Sequence, residues 1–107
     1  MTKGLCVALV ALMLLPAAPV AVQAGLMDKA CLKSDRRQKS RPLCNCIQQV
    51  ANQTLSVKDQ RIAATFFNDP HRSQEIRQSD NRAHEKFWLR YKDFGGIAAA
   101  SCGHLVK

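Results

Sequence analysis

Apolar residues follow two different patterns along the chain. Leu5 to Leu15 form an unbroken apolar run, whereas beyond Gly25 the apolar residues recur between polar ones. In the second regime Leu43, Ile47, Val50, Ala51 and Thr54 fall on one helical face, and Ile62, Ala63, Phe66 and Phe67 repeat the pattern. A further stripe, Ala83, Phe87, Trp88, Tyr91 and Phe94, gathers most of the aromatic residues, with Arg82, Glu85, Lys86, Arg90 and Asp93 around the remaining faces. No segment alternates with a period of two. The pattern predicts an all-α fold, a small bundle of about four short helices.

Breaking and capping residues divide these stripes. A first helix is expected around Leu26 to Lys33, followed by a polar, solvated loop from Ser34 to Arg41. Pro42 suits the first position of the next helix, where its missing N–H costs nothing. Ser56 and Asp59 have the spacing of a capping box, and Asn68-Asp69-Pro70 ends that helix. Asp69 is then the expected cap of a short helix around Ile76, and Ser79-Asp80 the cap of the aromatic one. Gly95-Gly96 marks either a break or a close crossing before Ile97 to Cys102 resumes helical character, with Gly103 as terminator.

The apolar start changes the compartment. Lys3, the run from Leu5 to Leu15 and the small-residue stretch ending Val22-Gln23-Ala24 have the three-part order of a secretory signal peptide, cleaved between Ala24 and Gly25. An uncleaved anchor is the alternative, but Pro16 and Pro19 would break a spanning helix. Cys6 precedes the apolar core, so no lipoprotein acylation site is formed. The expectation is therefore a signal peptide over 1–24 and one periplasmic or secreted domain over 25–107 with no membrane span.

Export also changes how the cysteines read. Cys31, Cys44, Cys46 and Cys102 remain after cleavage, and an even number in a short exported chain predicts disulfides. Residues two apart on a helix project about 200° from each other, so Cys44 and Cys46 should not pair together. One should bond Cys31 and the other Cys102, in an order that spacing leaves open. The short loop to Cys31 stabilises by about 3 kcal/mol and the long loop to Cys102 by about 4 kcal/mol on the chain-entropy estimate.

Cleavage removes Lys3 alone among the charged residues, so the formal charge falls one unit from the +8 of the full chain. That excess favours an anionic surface or an envelope protein as partner, and the Arg36, Arg37, Lys39 and Arg41 run is the candidate contact. Nucleic acid is not expected, because the aromatics that would stack on bases lie on the core face. His71, His84 and His104 stand apart, and no nucleophile elbow, phosphate loop or carboxylate pair occurs, so the chain does not read as an enzyme and no cofactor or metal is implied.

Two other readings use the cysteines. Cys44, Cys46, Cys102 and His104 are ligand types that zinc or copper accepts, and Cys44-Asn45-Cys46 near a helix start is a candidate for thiol–disulfide exchange. The spacing fits neither well. Ala-Cys-Leu-Lys-Ser-Asp-Arg-Arg at 30–37, Leu-Cys-Asn-Cys-Ile-Gln-Gln-Val-Ala-Asn-Gln-Thr-Leu-Ser at 43–56, Phe-Phe-Asn-Asp-Pro at 66–70 and Phe-Trp-Leu-Arg-Tyr at 87–91 resemble small exported cysteine-containing proteins of alphaproteobacteria, some labelled "arginine transporter". The resemblance implies at most an accessory role in arginine transport, since a processed chain without a span forms no transport path. The leading expectation is a structural or interaction module of the cell envelope.

Overall fold

The computed structural model describes residues 25–106, so the expected signal segment 1–24 lies outside the described residues. Within them the chain forms five α-helices and no strand: α1 (Leu26–Lys33), α2 (Arg41–Thr54), α3 (Val57–Asn68), α4 (Pro70–Arg77) and α5 (Arg82–Cys102), then a 3-10 turn at Gly103–Leu105. The central helix α2 packs against α1 on one side and α5 on the other. Helix α3 covers α1, and α4 joins α3 to α5.

The predicted stripes supply the core. Leu43, Val50 and Ala51 of α2, Ala63 and Phe66 of α3, Ile76 of α4 and Phe87 and Phe94 of α5 are all buried, with Met27 of α1 beneath them. Tyr91 is the hub of the aromatic cluster. Its ring meets Phe66 edge-on at 5.1 Å and stacks near-parallel to Phe87 at 5.8 Å, both favourable quadrupole arrangements. Burial raises the Tyr91 hydroxyl above its ordinary pKa, and the nearby charge of Arg36 partly offsets this.

The structure corrects several details of the reading. There are five helices instead of about four, and α5 runs for 21 residues without a break at Gly95-Gly96. A Cβ at either glycine would meet nothing within 4 Å, so no partner helix crosses there. The helix continues because Phe94, Ala98 and Cys102, one turn apart on the same face, are held on both sides of the glycines. Ala83 is exposed and outside the aromatic core. The cap of α5 is Asn81, whose Oδ1 accepts from the N–H groups of Ala83 and His84, in place of Ser79-Asp80. Asp69 occupies the N-cap of α4 but makes no side-chain cap bond. Helix α2 starts at Arg41, one residue before Pro42, with Ser40 Oγ accepting from the Leu43 N–H.

Half of the expected capping box forms. Ser56 Oγ accepts from the Asp59 N–H at 3.1 Å, but the Asp59 carboxylate is turned to a different task. It receives two hydrogen bonds from Arg90 of α5, at 2.6 and 3.1 Å, and is itself buried. This forked pair ties α3 to α5, and its hydrogen bond raises the Arg90 pKa above the ordinary value.

A buried amide relay was not anticipated. Gln48 Oε1 accepts from the Met27 and Asp28 N–H groups at 2.8 and 3.0 Å, capping α1 from a neighbouring helix. Its Nε2 donates to Gln60 Oε1 and Asn52 Oδ1, while Gln60 Nε2 donates to the Leu55 and Ala51 carbonyls at the end of α2. Gly25, the N-cap of α1, is required by this packing, because a Cβ there would lie 1.7 Å from Gln48 Oε1. Gln48→Ala leaves the Met27 and Asp28 N–H groups of α1 and the Oε1 of Gln60 without the partners they have in the fold, while Gln60 Nε2 keeps the Leu55 and Ala51 carbonyls. It is expected to cost about 2–3 kcal/mol, read as a lower urea midpoint with an unchanged slope.

Candidate functional site

Two disulfides set the geometry of the candidate site. Cys31 bonds Cys44 and Cys46 bonds Cys102, with Cα separations of 5.6 and 5.8 Å, which resolves the pairing that spacing left open. The first ties α1 to α2 across 13 residues, and the second ties the end of α5 to α2 across 56. All four sulfurs are engaged, so neither Cys44 nor Cys46 presents a thiolate for exchange or for a metal. His104 is exposed in the 3-10 turn, and no group of three or more His, Cys, Asp or Glu residues suited to an ion occurs among the described residues.

The basic segment lies inside the loop closed by the first disulfide. Arg36, Arg37, Lys39 and Arg41 are all exposed, as expected for a solvated loop, and none belongs to the ion pairs found among the described residues. The segment is nonetheless fixed. Ser34, buried where a solvated position was expected, donates from Oγ to the Cys31 carbonyl at 2.6 Å, and Lys39 Nζ donates to the Ser34 carbonyl. The Arg36 guanidinium stands 5.5 Å over the Phe67 ring.

An apolar groove of about 240 Å³ opens beside this segment. Its walls are Leu43 and Ile47 of α2 and Ala98, Ala99 and Cys102 of α5, with Val106 beyond the 3-10 turn. Arg36, Gln38 and Lys39 edge it on the loop side, and no acidic residue borders it. Sequence reasoning placed the cations but not the groove, because its walls come from three separate segments. The run Ala98-Ala99-Ala100 was the available signal, since short side chains at a helix crossing leave volume unfilled.

Two other clefts are centred on polar groups that already serve one another. One cleft holds the Asp59–Arg90 pair and another the Gln48–Gln60 relay. His84 does not stand alone: its Nδ1 lies 2.8 Å from Ser79 Oγ, a contact within the turn that caps α5. His71 lies 3.6 Å from Glu75 one turn away, and both are exposed. No family model, curated protein or solved structure matches the chain.

Proposed function

We propose that the protein is an exported structural or interaction module that docks on an anionic surface of the cell envelope through Arg36, Arg37, Lys39 and Arg41. The observation that carries this reading is a basic segment held in place by a disulfide and by the Lys39–Ser34 bond, with its charges uncommitted to any ion pair among the described residues. Fixed cations bind an anionic surface with less ordering cost than a mobile basic tail does. Arg41 adds to the argument. It opens α2, whose first turn holds no acidic residue, so a cation and the positive end of the helix dipole stand together without an internal anion.

A periplasmic or secreted location is supported by the two disulfides, which persist in oxidising compartments. No described helix is long and apolar enough to cross a membrane. An accessory role in arginine transport finds no support in the groove, whose charged border would repel a cationic ligand.

The test is cosedimentation of the oxidised protein, recovered from a bacterial periplasm, with phosphatidylglycerol-containing vesicles and with phosphatidylcholine vesicles. Each basic residue near an anionic surface contributes about 1 kcal/mol. The variant R36Q/R37Q/K39Q/R41Q is therefore expected to bind anionic vesicles at least about 100-fold more weakly, and added salt should weaken the native protein. Equal binding to both vesicle types, or undiminished binding by the variant, overturns the reading.

A further inference from the structure

We infer that the groove between α2, the end of α5 and the basic segment binds a medium-chain fatty acid, its alkyl chain against Leu43, Ile47 and Ala98 and its carboxylate at Arg36 and Lys39. The inference deepens the reading above by naming an anion, and it rests on that reading for the availability of these two cations.

The groove has the two-part chemistry of such a ligand. Its walls are apolar, largely aliphatic with the Phe67 ring and two half-cystines among them, and its charged border is cationic on the loop side with no carboxylate to compete. Arg36 offers a planar fork of donors that matches a carboxylate, and its guanidinium is oriented by the Phe67 face. Lys39 spends one donor on the Ser34 carbonyl and keeps two more for a ligand. The volume of about 240 Å³ falls below that of pockets for drug-sized ligands, which favours a single chain over a diacyl lipid.

Preformed walls favour binding as well. Cys31 and Cys102, one from each disulfide, both border the groove, so its two sides are cross-linked to α2 before any ligand arrives.

Calorimetric titration of the oxidised protein with decanoate, octanoate and decanol, all below their aggregation limits, tests the inference. Saturable one-site binding of decanoate is expected, weakening by about fourfold for each methylene removed. Decanol should bind about tenfold more weakly than decanoate, and R36Q should remove most of that difference. Ala99→Phe, placed at an exposed position on the groove wall, should abolish decanoate binding while leaving attachment to phosphatidylglycerol vesicles intact. If that variant does not fold, the decanol comparison and the exposed Arg36→Gln carry the test.

Absence of saturable decanoate binding, equal affinity for decanol, or binding that survives in a folded Ala99→Phe variant overturns the inference. Vesicle binding without decanoate binding refutes the groove alone and leaves the surface-docking reading standing. Loss of both refutes both.

Discussion

Replacing Cys46 and Cys102 together by alanine is expected to remove about 4 kcal/mol of stability, because the bond closes a 56-residue span of chain that includes all of α3 and α4. A domain this small draws only about 3–5 kcal/mol from its core, so the loss brings it close to unfolding. The melting temperature should fall by roughly 15–30 °C, at about 4–8 °C per kcal/mol for a domain of this size. The denaturant slope should rise as the unfolded chain expands. The native Cys31–Cys44 bond closes a span of only 13 residues, so the Cys31→Ala/Cys44→Ala variant should lose less, about 3 kcal/mol, although both cysteines are buried. Urea unfolding followed by circular dichroism on the two double variants checks the order. If the short-loop pair proves the costlier one, loop closure is not the governing term and lost packing around Cys44 is.

The same bond shapes the candidate site. Cys102 sits at the end of α5, beyond the Gly95-Gly96 pair that weakens the helix locally, so the disulfide pins to α2 the stretch of α5 that carries Ala98 and Ala99 on the groove opposite Leu43 and Ile47. Without it the groove should lose its preformed wall and any ligand affinity before the helix content falls. The basic segment, tied by the other disulfide, should be less affected.

What could be read in the sequence was whatever depends on local spacing. The stripes of α2 and α3 and the impossibility of a Cys44–Cys46 bond follow from the 3.6-residue period, and the exposure of Arg36, Arg37, Lys39 and Arg41 from the polar character of their segment. The misses share a cause. Gln48, Asp59 and Gln60 look like surface residues by type, yet each is buried because a partner on another helix accepts or supplies its hydrogen bonds. Gly95-Gly96 looks like a break, yet tertiary anchors on both sides carry the helix through it. Ser79, Asp80 and Asn81 are three consecutive residues of cap type, and spacing does not say that the last of them, Asn81, is the one that caps α5. The groove escaped because its walls come from α2, the end of α5 and the basic segment, which only the tertiary fold brings together; the short Ala98-Ala99-Ala100 run alone hinted at it.

Phe87→Ala is expected to cost about 4 kcal/mol, the second large effect. Phe87 is only 2% exposed and fills the junction where α5 meets α3 and α4. Its ring contacts Phe66 edge-on at 6.0 Å and stacks on Tyr91, so truncation removes both aromatic pairings as well as the buried area. Tyr91 and Phe66 are themselves pinned by other contacts, so the cavity should not collapse, which keeps the cost above the lower end for its type. Phe87→Leu retains most of the volume and should lose less than half as much. Residue 87 lies fifteen positions before Cys102 on one helix, about 22 Å along its axis. At that distance the two losses should add. The triple variant Phe87→Ala/Cys46→Ala/Cys102→Ala would then forfeit about 8 kcal/mol, comparable to the whole stability of a domain of this size. It should be unfolded at room temperature by circular dichroism, while each parent remains folded. A triple variant that still folds would show that the aromatic core and the α5 staple stabilise the same contacts and do not act independently.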